Sequence, residues 1–181
     1  MNIAVYCASS DEIDAKYFKA AERLGRLMAE KGLTMVNGAG RIGLMGAASD
    51  ASLSNGGRVI GVIPGFMVEY GWNHPGLSET VQTPDIQSRQ AKMAEISDAA
   101  IALPGGIGTL AELSEVIAWK QLDLYHKPIV ILNTDGYWDE LLLYLERAHR
   151  EHFMRKQNAI VWDVASTPEE AIDIILSSKH H

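Results

Sequence analysis

The chain has 181 residues, of which 47% are apolar and 22% charged, and its formal net charge is −7. This length is typical of one globular domain that buries a core without needing metals or disulfides. The negative charge disfavours nucleic-acid binding, which depends on basic patches, although a small anion can still be bound locally.

The cysteine count and the hydropathy pattern indicate the compartment. Cys7 is the one cysteine, so an internal disulfide is excluded. Neither a secretory leader nor an apolar run near twenty residues is visible, which predicts a cytoplasmic protein that does not bind membranes. His180 and His181 resemble the stub of a purification tag, so we expect one domain over residues 1–178 and a tail at 179–181.

Strand and helix patterns alternate along the first half of the chain. Apolar runs rich in strand formers predict strands, and apolar residues at helical spacing, followed by glycine, predict helices. The predicted strands are 2–7, 33–37 and 58–63, and the predicted helices are 13–31 and 44–55. Residues 64–76 are rich in turn formers and predict an irregular lid or rim.

The alternation continues in the second half. Strands are predicted at 79–83, 99–103, 128–132 and 160–162, and helices at 86–97, 109–122 and 138–152. A last helix begins after Thr167, with proline at its first position and a capping-box glutamate at Glu170. Strands joined by helices in this way predict a three-layer, Rossmann-like α/β fold with an open, mainly parallel sheet flanked by helices.

Small residues follow three of the predicted strands. They are Ser9 with Ser10, the loop from Gly38 to Gly43, and the loop from Gly105 to Thr109. Because ligands bind beyond the carboxyl ends of parallel strands, we expect these loops to share one nucleotide-sized cleft, with Ser9, Gly40 and Gly43 among its residues. Tight turns that need glycine are the alternative interpretation.

The third loop predicts a phosphate site. Gly105, Gly106, Gly108 and Thr109 lead from an apolar strand into a helix, whose first amides lack intrahelical partners and carry partial positive charge. Glu112 lies one turn further and could act on what the phosphate holds. The spacing Thr109-x-x-Glu112 also fits a capping box, in which Glu112 would only bond to the backbone.

A dinucleotide site is the main alternative to this interpretation. Gly38, Gly40 and Gly43 match the G-x-G-x-x-G pattern between a strand and a helix. That pattern expects an acidic residue at the end of the next strand to bind the ribose hydroxyls. The strand ends instead in Ile63, Pro64 and Gly65, which disfavours nicotinamide or flavin binding.

The motif from Pro104 to Glu112, Pro-Gly-Gly-x-Gly-Thr-x-x-Glu, resembles the signature of the Lonely Guy family of cytokinin-activating phosphoribohydrolases. Arg89 lies where that family has the arginine of its second motif. The resemblance extends from Val5 to about Asn133. Bacterial relatives are often labelled lysine decarboxylases, but no lysine here has a recognisable pyridoxal-phosphate context.

The resemblance implies roles for three charged residues. Glu112 would be the catalytic carboxylate, which stabilises an oxocarbenium-like ribose and orients or deprotonates the attacking water. Arg89 would be a fixed cation on ribose or phosphate oxygens, and Glu115 a helper on the same helix face. For Arg89 the alternative is a surface pair with Asp85. The chain departs from the family at Gln87 and Gln90, where His and Lys are common, so base preference and rate stay open.

By this resemblance the protein is a hydrolase of purine nucleoside 5′-monophosphates, such as AMP or a cytokinin-type nucleotide. It would need no metal and no organic cofactor, and the histidines show no metal-ligand spacing. It would form a homodimer with shared active sites, for which Ile86, Ile117 and Leu122 are candidate interface residues. A non-catalytic nucleotide or cofactor carrier on the same fold is the alternative.

Overall fold

The computed structural model describes residues 1–154 and 160–178, which form seven parallel strands and seven α-helices. The strands are β1 Asn2–Tyr6, β2 Thr34–Asn37, β3 Arg58–Pro64, β4 Glu79–Thr83, β5 Ala99–Ala102, β6 Ile129–Leu132 and β7 Asp163–Ala165. The helices are α1 Ala15–Glu30, α2 Gly43–Ser54, α3 Gly65–Glu69, α4 Ile86–Ile96, α5 Ile107–Gln121, α6 Asp139–Arg150 and α7 Pro168–Ser177. The predicted tag remnant at 179–181 lies outside the described residues.

One sheet contains all seven of these strands, in the order β4-β3-β2-β1-β5-β6-β7. Every pairing is parallel, as in Ile3 with Met35 of β2 and Ala99 of β5. The strands β2, β3 and β4 lie in turn on one side of β1, and β5, β6 and β7 lie in turn on the other side. The strand order therefore reverses at β1. The predicted open parallel sheet is confirmed.

Each face of the sheet has its own apolar core. Ile3 and Val5 of β1 face a cluster formed with α1, α2 and α7, whereas Ala4 and Tyr6 face a cluster with α4 and α5. Alternate residues of one strand thus enter opposite layers, as the period of a β-strand requires. This arrangement confirms the three-layer Rossmann-like fold.

Most element limits differ from the predicted ones by one or two residues, and three elements differ in ways that bear on the fold or the cleft. α3 occupies Gly65–Glu69, within the segment predicted to be irregular, because Pro64 supplies an extended N-cap for one short turn of helix. α5 begins at Ile107 because Gly106, in extended conformation, is its N-cap. β7 is Asp163–Ala165 and not 160–162, and only Ala165 of this edge strand is buried.

Among the described helices, none combines the length and the apolar character that a bilayer span requires.

Candidate active site

A cleft of about 340 Å³ lies at the carboxyl ends of β1, β2 and β5, where the strand order reverses. It brings together residues from all three predicted loops and from α4. The predicted site residues that line it are Ser9, Gly40, Arg89, Gly106, Gly108, Thr109 and Glu112. Gly43, Gly105 and Glu115 lie next to the cleft and do not line it.

The backbone of Ala8 connects the three loops. Its amide donates to the carbonyl of Pro104 at 3.2 Å, and its carbonyl accepts from the amide of Met45 at 3.2 Å. Gly43, with φ +67°, begins α2 directly against the Ser9–Ser10 backbone, where a Cβ would lie 2.5 Å from the Ser10 carbonyl oxygen. Gly43 therefore lets α2 pack closely against the Ser9–Ser10 loop, which lines the cleft.

The N-terminus of α5 opens onto the cleft without a side-chain cap. The first amides of a helix have no intrahelical acceptor, so those of Ile107, Gly108 and Thr109 are donors for an anion. Gly106 and Gly108 have open space where a Cβ would project. At Gly105 a Cβ would lie 2.1 Å from Thr109 Oγ1, so this glycine lets the loop pack on Thr109.

Arg89 and Glu112 form a buried ion pair inside the cleft. The Nη2 atom of Arg89 donates to Glu112 Oε1 at 2.7 Å, and the side chains are 13% and 5% exposed. The two alternatives that the sequence left open, a surface pair of Arg89 with Asp85 and a capping box of Thr109 with Glu112, are not formed. Asp85 caps α4 by accepting from the Ser88 amide at 2.7 Å, and α5 begins too early for Thr109 to be its N-cap.

The surroundings of Glu112 favour its neutral form. Burial raises the pKa of this carboxyl to about 7, Arg89 partly offsets that shift, and Glu115 adds to it. Glu115 is half-buried one turn further along α5, and burial raises its pKa as well. Burial also raises the pKa of the Cys7 thiol in the cleft lining, so this thiol stays protonated and is no nucleophile.

Met45 and Met67 line the cleft and were not predicted, whereas Gly38 and Ile107 were predicted only as members of their loops. Gly38 lets Arg89 approach closely, since a Cβ there would lie 3.2 Å from Arg89 Nη1. Met45 accepts from the Gly40 amide through sulfur at 3.0 Å. The glycines of the loop were the available signal for Gly38, but nothing in the sequence pattern distinguished the two methionines from core residues.

The buried Asn37 at the end of β2 shapes the glycine loop. Its Oδ1 accepts from the Ala39 amide and its Nδ2 donates to Ser49 Oγ, both at 2.9 Å. The segment after α3 is attached to the same loop, because the amide of His74 donates to the Ala39 carbonyl at 2.8 Å. Trp72 lies in this segment, half exposed, outside the cleft lining.

Within residues 1–154 and 160–178, no three His, Cys, Asp or Glu side chains gather into a group that could hold a metal ion.

Comparison with known proteins gives a consistent result. A family model described as "possible lysine decarboxylase" matches residues 45–175. The chain is 44% identical to the probable cytokinin riboside 5′-monophosphate phosphoribohydrolase LOGL5 of Oryza sativa subsp. japonica, over 84% of this chain and 62% of that one. It is 43% identical to the cytokinin riboside 5′-monophosphate phosphoribohydrolase of Rhodococcoides fascians, over 84% of this chain and 78% of that one.

Solved structures share the fold. The molybdenum cofactor binding protein of the phototrophic bacterium Rippkaea orientalis superposes with a TM-score of 0.74, at 25% identity, over 98% of this chain and 96% of that one. The family model covers more than half of the residues, and the Rhodococcoides relative aligns over most of both chains. The chain therefore belongs to the Lonely Guy family of cytokinin riboside 5′-monophosphate phosphoribohydrolases.

Proposed function

We propose that the protein hydrolyses the N-glycosidic bond of a purine nucleoside 5′-monophosphate, of cytokinin type or AMP, and releases the free base and ribose 5-phosphate. One observation carries the proposal. The buried Arg89–Glu112 pair and the uncapped N-terminus of α5 line the same cleft. An anchor for a phosphate thus lies beside an acid that can act on the sugar.

The phosphate binds at the amides that begin α5. Helix N-termini bind anions because their free N–H groups and the helix dipole both favour negative charge. Gly106 and Gly108 leave room for the phosphate oxygens, and Thr109 and Ser9 border the same space. This anchor orients the ribose toward Glu112, one turn into the helix.

The chemistry needs a carboxylate near the anomeric carbon. As the C1′–N bond breaks, its electron pair leaves with the base and the ribose acquires oxocarbenium character. The Glu112 carboxylate stabilises this positive charge and takes the proton of the water that attacks C1′, while the departing base gains a proton from solvent, so that the products are the neutral base and ribose 5-phosphate. Arg89 keeps Glu112 oriented, and its remaining N–H groups are free to bind ribose or phosphate oxygens. Glu115 acts through its charge on Glu112.

The family description as a possible lysine decarboxylase does not match this cleft. Pyridoxal phosphate is held by a lysine through a Schiff base. None of the described residues that line the cleft is a lysine. The donor set instead fits a phosphorylated sugar.

A non-catalytic carrier is the second candidate function. It is favoured by the structural similarity to a protein named as a molybdenum cofactor binding protein. Incubation with AMP, followed by chromatography, separates the two functions. The hydrolase yields adenine and ribose 5-phosphate, whereas a carrier returns AMP unchanged.

Glu112→Gln tests the catalytic role. The amide keeps the shape of the side chain but cannot accept the proton or stabilise the cation, so we expect at least a hundredfold lower kcat for adenine release, as is typical for general acid-base groups. AMP affinity, measured by calorimetry, should stay within about tenfold. Wild-type turnover by the folded variant would show that Glu112 is structural.

Assembly and location complete the proposal. We propose a homodimer, as the resemblance implies, which Leu122, 55% exposed at the end of α5, supports as an interface residue. Ile117 is buried in the core and is withdrawn as an interface candidate, and Ile86 is half-buried. We also propose a cytoplasmic location, as expected from the sequence. The net charge of −7 supports a small-molecule substrate rather than nucleic acid.

A further inference from the structure

The loop that precedes α5 receives a hydrogen bond from another part of the sheet edge. The hydroxyl of Tyr137 donates to the carbonyl oxygen of Gly105 at 2.8 Å, across 32 residues of sequence. Tyr137 follows a short 3-10 turn, Thr134–Gly136, after β6. The loop beyond β6 thereby supports the loop beyond β5.

The Gly105 carbonyl and the Gly106 amide belong to the same peptide unit, so the contact with Tyr137 also affects the Gly106 amide. In a planar trans peptide, the C=O of one residue and the N–H of the next point in opposite directions. Fixing the Gly105 carbonyl toward Tyr137 therefore fixes the Gly106 amide on the opposite side. Gly106 itself lines the cleft.

Both ends of the contact are rigid. The Tyr137 ring packs edge-on against Tyr17, with centroids 5.6 Å apart, and against Trp138, at 4.9 Å. The amide of the buried Trp138 donates to Asn133 Oδ1 at 2.7 Å, which fixes the turn that carries Tyr137. On the other side, Thr109 occupies the space beside Gly105, so the peptide has little freedom to rotate.

We propose that Tyr137 is a positioning residue for phosphate: by holding the Gly105 carbonyl, it aims the Gly106 amide at the phosphate of the substrate. The inference rests on the proposed phosphate site at α5. It adds a residue outside the cleft lining, in a segment beyond the two motifs that carry the family resemblance. Tyr137 touches neither the substrate nor the reacting atoms.

Tyr137→Phe tests the proposal, because the ring and its packing stay while the donor is lost. Two quantities are measured for each protein: the affinity for ribose 5-phosphate, by calorimetry, and the inhibition of AMP hydrolysis by adenosine, which lacks the phosphate. The proteins are the wild type, Tyr137→Phe and the control Tyr144→Phe, whose side chain is 65% exposed on α6. One lost hydrogen bond should weaken ribose 5-phosphate binding about threefold to tenfold. Adenosine inhibition, the melting temperature and the control variant should match the wild type.

The outcomes separate this inference from the proposed function. Wild-type affinity of Tyr137→Phe for ribose 5-phosphate, or an equal loss for both ligands, overturns the positioning role. A wild-type protein that binds ribose 5-phosphate no better than adenosine and releases no adenine from AMP overturns the proposed function instead. A selective loss for the phosphorylated ligand supports both.

Discussion

Glu112 is a carboxylate in a protein environment that disfavours its charge. Burial is the main cause and raises its pKa, the hydrogen bond from Arg89 partly offsets this, and the neighbouring Glu115 raises the pKa further. The result is a carboxyl that changes protonation near neutral pH, where a general base is most effective because it is both available and strong enough to accept a proton.

The pH dependence of activity follows from this pKa. Because the proposed mechanism uses the ionised form of Glu112, kcat/KM for AMP should rise as the pH passes through about 7 and level off above it. Rates measured from pH 6.5 to 8.5 test this, since the second ionisation of a phosphate, near pH 6, lies largely below that range. A flat profile would contradict the proposed role of the carboxylate.

Stability should respond to pH in the opposite direction. Between pH 4.5 and about 7 the folded chain binds more protons at Glu112 than the unfolded chain, so the free energy of unfolding falls as pH rises through this window. Glu112→Gln removes the effect. The melting temperature of the wild type should therefore fall relative to that of the variant between pH 5 and pH 7.5.

The identities of Arg89 and Glu112 were predictable from their motifs, but their contact was not. Each residue had an equally good local partner in the sequence, Asp85 at four residues and Thr109 at three. Sequence spacing describes contacts within one helix, whereas this pair joins α4 to α5 across 23 residues. Only the packing of both helices on one face of the sheet brings the side chains together.

At the scale of elements, the first turn of α5 carries the proposed phosphate site. The two glycines before it have different tasks, because Gly105 is packed against Thr109 while Gly106 faces open space. Gly106 also has φ −87°, which any residue can adopt. Side chains at these neighbouring positions should therefore have separable effects.

Gly106→Val should keep a cooperative thermal transition while weakening AMP binding at least about tenfold, because its side chain occupies the space proposed for the phosphate. Gly105→Ala is the matched control. Its Cβ overlaps Thr109, and overpacking of this kind costs about 1–3 kcal/mol of stability. Calorimetry and thermal melts distinguish the two effects, and unchanged AMP affinity in Gly106→Val would refute the phosphate anchor.

Element types were more predictable than element limits. Every predicted strand has a counterpart, and the buried ones, such as β1, β3 and β5, are apolar runs that stand out from helical spacing. The last strand was predicted three residues too early, because Val161 and Trp162 are apolar. The observed β7 is a mostly exposed edge strand, and its position is set by pairing with β6. Similarly, α3 carries no fully buried residue and so had no periodic signal.

At the scale of the whole molecule, the strand order determines where the site lies. Loops that leave adjacent parallel strands toward opposite faces separate from each other, which opens a crevice at the reversal point. β1 is that point here, and the cleft lies beyond its end. The sequence predicted the convergence of the three loops but not which strand was central.

The proposed dimer is tested by mass. Light scattering at micromolar concentration should give about 40 kDa, twice the 19.8 kDa chain. Leu122→Glu would place a charge at the proposed interface and should lower the mass toward that of one chain, whereas Glu146→Gln on exposed α6 should not. A wild-type monomer that still hydrolyses AMP would refute the shared active site.

The backbone contacts of Ala8 determine how this site can change in evolution. Since both contacts use main-chain atoms, the side chain at position 8 can vary without breaking them. The length of the loop cannot vary so easily. An inserted residue would shift the amide away from Pro104 and the carbonyl away from Met45 together, so relatives that diverge in function should differ here by substitution and not by insertion.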